Sequence, residues 1–175
     1  MLRSVLMFPK FSMNNEIDII RSQYDNLYYH IAPHISLVFP FDSQLSDEQI
    51  IEVVTEVAKQ YPPFEIQLQE VSGDSKHGYV WLVIDQGSSM LEKIHDALYD
   101  KVVFRRYLRK DLPYQPHITI AQGLMPDQTT QLLVKLQNNR YDLLTTITEV
   151  SIEHILDNDD SENFATIALD NEYEN

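Results

Sequence analysis

Two short stretches repeat one pattern, Pro33-His34-Ile35-Ser36-Leu37 and Pro116-His117-Ile118-Thr119-Ile120, with the histidines 83 residues apart (34 to 117). Each reads proline, histidine, aliphatic, hydroxyl, aliphatic. Each lies in a run of β-formers that continues as Val38-Phe39 in the first copy and ends at Ala121-Gln122-Gly123 in the second. Successive side chains of a strand point to opposite faces. His34 and Ser36 therefore share one face and Ile35 and Leu37 the other, and the same holds for His117 and Thr119 against Ile118 and Ile120. A proline ahead of the histidine is tolerated because the first residue of a strand can do without its ladder donor.

The rest of the chain arranges itself around these strands. Ser4 to Phe8 reads as a strand, and Asn14 to Asp25, with Ile17, Ile20 and Tyr24 at helical spacing, as a helix. Ser46 opens a second helix as N-cap with Gln49 at N3, and Ile50, Val53, Val54 and Val57 form its apolar stripe until Pro62-Pro63. Phe64 to Val71 and Tyr79 to Asp85 read as strands, and Ser88-Ser89 as the cap of a helix with Met90, Leu91, Ile94 and Leu98 inward. After the second motif come a helix from Pro126-Asp127, a strand over Leu143 to Leu156 and another over Phe164 to Asp170, with a frayed tail from Asn171 to Asn175.

The echo extends beyond the histidines. Glu70-Val71-Ser72 returns as Glu149-Val150-Ser151, and Tyr79 to Asp85 as Phe164 to Asp170, at similar distances from their motifs. The order predicts an α+β fold with two pseudo-symmetric lobes of antiparallel sheet, helices outside and an active groove between the lobes. All 175 residues are expected to form one domain, with motif strands at about 33–41 and 116–123.

Composition narrows the function. The absence of cysteine removes disulfides and thiolate chemistry, and the brief apolar run near Met1 is broken by Pro9-Lys10. A cytoplasmic protein without a membrane span is the expectation. A net charge of −14 disfavours long nucleic acid, whose binding depends on neutralising phosphates, but leaves open a small phosphorylated substrate or one RNA end. Lys101, Arg105, Arg106, Arg109 and Lys110 are bunched just before the second motif. They read equally as an anion-steering patch, with Arg105 and Arg109 as substrate-binding candidates, or as a helix end whose cations suit the dipole.

Attack of water on an ester needs a base for the nucleophile and an acid for the leaving oxygen, and two imidazoles with pKa of about 6.5 serve both roles near neutral pH. The hydroxyls of Ser36 and Thr119, roughly 6–7 Å further along the same faces, can donate to non-bridging phosphate oxygens. No metal or other cofactor is then required. A metal site from His30, His34 and His117 lacks close ligand spacing and a carboxylate pattern. Tyr28, Tyr29, Phe39, Tyr107 and Tyr114 are candidates to stack a base, with Phe39 and Tyr114 foremost because they flank the motifs.

The motifs resemble those of the two-histidine (2H) phosphoesterases, which include the RNA 2′,3′-cyclic phosphodiesterases also called 2′-5′ RNA ligases. The likeness rests on His34-Ile35-Ser36 and His117-Ile118-Thr119, on Phe39-Pro40-Phe41 and Tyr114-Gln115-Pro116, and on the order of elements over essentially the whole chain. It implies His34 and His117 as the acid/base pair and Ser36 and Thr119 as phosphate binders. Ser36 replaces the commoner threonine and keeps the hydroxyl, whereas no arginine stands close behind either motif as in some members, so no phosphate-gripping cation is implied. A non-catalytic module holding a nucleotide or RNA end in the same groove, and a metal-dependent hydrolase, are the rival readings. The physiological substrate, the bond broken and the oligomeric state are not encoded in these features.

Overall fold

A computed structural model describes residues 1–11 and 16–170. Within them the strands are β1 (Leu2–Met7), β2 (Ile35–Asp42), β3 (Phe64–Asp74), β4 (Tyr79–Ile84), β5 (His117–Ala121), β6 (Leu143–Ile147), β7 (Glu149–Ile155) and β8 (Ser161–Ala168). The helices are α1 (Glu16–Tyr24), α2 (Asp47–Ala58), α3 (Ser88–Tyr99), the single turn α4 (Val102–Arg105) and α5 (Pro126–Gln137). The strands form two four-stranded antiparallel sheets, ordered β2-β1-β7-β8 and β5-β4-β3-β6. The fold is α+β, and each motif strand is an edge of its sheet. Asn14 and Asn15, read as the start of the first helix, and the tail from Asn171 lie outside the described residues.

The sheets are built by exchange. Each begins with a strand, a helix and a motif strand, β1-α1-β2 in the first and β4-α3-β5 in the second, and each then receives its third strand from the other half of the chain, β7 in one and β3 in the other. Glu70-Val71-Ser72 and Glu149-Val150-Ser151 thus occupy matching strands. The second echo does not hold: β4 sits between β3 and β5, whereas β8, which contains Phe164, is an outer edge. The segment from Leu143 to Leu156 is also two strands, not one. The apolar side chains packed into the core fall at odd positions in β6, Leu143 and Ile147, and at even positions in β7, Val150 and Ile152. That one-residue change of phase turns the chain over, so that β6 joins β3 while β7 joins β1 and β8.

Helices interlock the halves. α2 lies on β7 and β8 and α5 on β3 and β4, while α1, which leads into β2, packs beside β5, and α3, which leads into β5, packs beside β2. The capping box of α2 forms as the sequence predicts: Ser46 accepts from the Gln49 amide, and Gln49 Oε1 accepts from the Ser46 amide at 3.0 Å. Its stripe buries Ile50, Val54, Val57 and Ala58, while Val53 is only half-buried; each large aliphatic is worth about 1.5–3 kcal/mol. α3 departs from expectation, since its N-cap is Gly87 at φ 86°, where glycine has no steric penalty, and neither serine caps it. One apolar cluster runs through both sheets, from Val5 and Ile35 to Leu82 and Ile118. The aliphatic residues of both motifs are in it, which leaves the histidine faces uncovered by core.

Candidate active site

His34 lies immediately before β2 and His117 opens β5. Both rings are half-buried and held the same way: His34 Nδ1 lies 2.9 Å from the carbonyl of Ala32, and His117 Nδ1 lies 2.6 Å from that of Gln115. A carbonyl only accepts, so Nδ1 carries the hydrogen and Nε2 is left with its lone pair. The residue between carbonyl and histidine is in each case the motif proline, whose fixed φ holds the short loop. Burial pushes both imidazoles below the usual value near 6.5. For His34 the Ala32 carbonyl and the charges of Glu153 and Asp25 oppose this, and Arg21 adds to it. For His117 the Gln115 carbonyl opposes it and His34 itself adds to it. His117 thus lies within electrostatic reach of His34.

Around His34 the face of the first sheet forms a hollow of about 310 Å³ that includes Ser36, Ser4 and Leu6 and is floored by Glu153. Ser36 stands opposite Leu6, and Ser4 opposite Glu153. Around His117 the neighbours are different. Thr119 stands opposite Trp81, whose ring lies 5.2 Å from the imidazole. Trp81 Nε1 is buried and has no hydrogen-bond partner among the described residues. An imidazole with a free Nε2 can exchange a proton with a ligand, and a hydroxyl two residues along the strand can donate a hydrogen bond to an oxyanion.

A buried ion pair links the segments beside the two motifs. Arg21 Nε meets Asp25 Oδ2 at 2.6 Å, with side chains 2% and 0% exposed. Arg21 Nη2 donates to the carbonyl of Ile31 at 2.7 Å, three residues ahead of His34, and Gln122, three residues beyond Thr119, donates to Asp25 Oδ1 at 2.8 Å. One pair thus ties the approach to the first histidine to the exit of the second strand. Sequence reading missed it, although the Arg21/Asp25 spacing of four on a helix is a readable signal.

The other expected residues fall in several places. The Tyr114 hydroxyl donates to the carbonyl of Ser36 at 2.9 Å, its ring stacks 3.8 Å from His95, and burial raises its pKa. With Tyr99, whose oxygen accepts from the Phe39 amide at 3.2 Å, it satisfies the open edge of β2. Its placement makes it a strut for the motif strand rather than a base-stacking surface. Phe39 is half-buried outside the core cluster, and Pro40, not Phe39, lines the hollow.

The basic stretch is engaged locally. Arg105 donates to the carbonyl of Asp100 at 2.6 Å, Lys101 pairs with Glu56 at 2.6 Å, and Arg106 contacts Tyr107 and the carbonyl of Asp42. Arg109 grips Asp111 through two bonds of 2.9 and 2.6 Å and holds that carboxyl down to about 2. Among the remaining histidines, His30 bonds Asp160, His77 bonds Asp74, His95 bonds Asp96, and His154 joins Asp47 to Phe164. Among the described residues no cluster of three His, Asp or Glu side chains is arranged to hold a metal ion, and no helix is long and apolar enough to cross a membrane.

The model of one known family, the 2′-5′ RNA ligase superfamily, matches residues 9–159. The chain belongs to this superfamily, the group of two-histidine phosphoesterases. Among relatives of this superfamily member, a protein of Oceanobacillus iheyensis that carries the provisional name phosphoesterase is 27% identical over 172 residues, 94% of this chain and 96% of that one. The TT0787 protein of Thermus thermophilus has a similar fold, with a TM-score of 0.71 at 10% identity over 99% and 100% of the two chains. Escherichia coli LigT solved with 3′-AMP gives a TM-score of 0.59 at 15% identity over 97% and 99%, and LigT has also been solved with ATP and with NADP+.

Proposed function

We propose that this superfamily member is a phosphodiesterase that uses no metal, one unit over residues 1–175, opening a 2′,3′-cyclic or related small phosphodiester on a nucleotide or an RNA end. The observation that carries the reading is the matched pair of Nδ1–carbonyl bonds, which leaves two Nε2 atoms able to work as a pair. One imidazole takes the proton of the attacking water while a new P–O bond forms. The other, protonated, gives its proton to the ring oxygen as the old P–O bond breaks. Ser36 and Thr119 donate to the non-bridging oxygens, where charge increases. Phe39 remains a residue to contact the organic part of the substrate. Family membership and the small ligands bound by LigT, a protein of similar fold, support a small substrate.

The test is turnover of a 2′,3′-cyclic nucleotide in excess EDTA by the wild type and by His34→Ala and His117→Ala. Turnover that survives chelation and is lost in both variants is the expected result. Binding without turnover would make the chain a nucleotide-holding module, and loss of activity on chelation would make it a metal-dependent hydrolase.

A further inference from the structure

The hollow beside His34 contains groups that proton transfer does not use. Glu153 on β7 is 3% exposed and faces the same space as His34 and Ser36. Its oxygens accept from Ser4 Oγ at 2.5 Å and from Ser161 Oγ. A carboxylate offers about four lone-pair positions, so two hydroxyls leave acceptor capacity unused. Among the described residues no cation pairs with it. A second carboxylate, Asp159, stands at the rim with φ 67°, and Leu27, Ile31 and Ile155 make apolar walls. The volume of about 310 Å³ is at the lower end of the range for small-ligand pockets.

The matching position in the opposite lobe is different. Carrying the echo of Glu149-Val150-Ser151 and Glu70-Val71-Ser72 two residues further matches Glu153 to Asp74, which lies at the β3–β4 hairpin with its side chain 42% exposed and bonded to His77 at 2.5 Å. Among the described residues, the position that echoes Glu153 is therefore not a buried acceptor on the His117 side.

We propose that this hollow is a specificity pocket that takes the organic group of the phosphodiester, and that it selects groups carrying hydroxyl or amino hydrogens and no second phosphate. Glu153 accepts from such a donor, which also compensates a buried carboxylate that is costly alone. A further phosphate would be brought beside two carboxylates in a poorly solvated space, where like charges repel strongly. The proposal rests on the phosphodiesterase reading and narrows its substrate to a cyclic phosphodiester without a further phosphate, as opposed to an RNA end, whose terminal nucleoside carries a 5′-phosphodiester.

The experiment compares kcat/KM for adenosine 2′,3′-cyclic phosphate with that for the same compound bearing a 5′-phosphate. The wild type is expected to disfavour the 5′-phosphate by about tenfold. The penalty should shrink severalfold in Glu153→Gln and in Asp159→Asn. Asparagine tolerates the positive φ of that turn, so the second variant tests the pocket even if the first folds poorly. Glu52→Gln, on the exposed side of α2, should keep the full penalty and so rule out a general effect of net charge. Equal use of both compounds by the wild type, or a penalty unchanged in both pocket variants, overturns the assignment. If neither compound is hydrolysed, the phosphodiesterase reading fails separately. The pocket is then judged by the two affinities, read from the fluorescence of Trp81, the single tryptophan, with equal affinities overturning it.

Discussion

The two histidine strands are held alike and surrounded differently. His34 and His117 share the carbonyl strut, the preceding proline, the hydroxyl two residues on and the position at a sheet edge. Around His34, however, stand the ionisable side chains of Glu153, Asp25 and Arg21, whereas His117 stands against Trp81, and the one such group that acts on it is His34, after burial and the Gln115 carbonyl. The shared features are local, within five residues of each histidine. The differing ones arrive from strands and helices elsewhere in the chain, above all β7 and β4. Repetition thus preserves the local setting of each histidine, while exchange of the third strand between the sheets makes the wider surroundings one-sided.

The largest test of the shared part is removal of the imidazoles. His34→Ala and His117→Ala should each lower kcat for a cyclic phosphodiester by about 10²-fold or more, and the double variant should be scarcely worse than the poorer single one, as for groups acting as a unit. Steady-state rates on folded variants check this. Additive losses would mean that the two rings work independently and that the common strut has no common purpose.

A second test sharpens the difference in surroundings through pH. Both imidazoles are pushed below 6.5 by burial, so the bell in kcat/KM should be centred on the acid side of that value. Glu153 raises His34 and is not among the causes at His117. In Glu153→Gln the His34 ring, followed by NMR titration, should therefore titrate at lower pH while His117 stays. The same depressed values favour the unfolded chain in acid, because it binds the protons more readily. Their stabilising contribution is fully present above pH of about 6.5 and is lost as pH falls through the folded values. Denaturant midpoints measured from pH 7 to 5 should fall less steeply in His117→Ala than in the wild type.

Next in size are the hydroxyls. Ser36→Ala and Thr119→Ala each remove one hydrogen bond to developing charge and leave proton transfer intact, so each should cost about tenfold in kcat. A loss equal to that of the histidines would assign the hydroxyls a part in the proton path.

These contrasts also explain what was legible in the chain beforehand. The motif strands, their faces and the capping box of α2 are written in neighbouring residues, and they formed as the local pattern requires. The one-residue change of phase near Thr148 shows only as core aliphatics moving from Leu143 and Ile147 to Val150 and Ile152, which a continuous run of β-formers conceals. Glu153 and Trp81 could not be tied to the site from sequence, because their relevance depends on which strand lies beside which motif. Tyr114 was singled out for adjacency to His117, yet adjacency along the chain carried it across to the other lobe, where its hydroxyl meets Ser36.

The smallest effect is expected from the basic stretch, and the reason again lies in a difference of surroundings. As a sequence, Lys101 to Lys110 is concentrated positive charge on an acidic chain. In the fold, Arg109 is neutralised by Asp111 and Arg105 is turned back onto the Asp100 carbonyl. Paired, exposed charges project little field beyond a Debye length of about 8–10 Å, and what they do project is screened by salt. Charge reversal at Arg105 and Arg109 should therefore raise KM for a phosphodiester by only about twofold at low ionic strength, with kcat unchanged and the effect gone at physiological salt. A tenfold rise in KM that fades with added salt would show that the stretch steers substrate despite its partners.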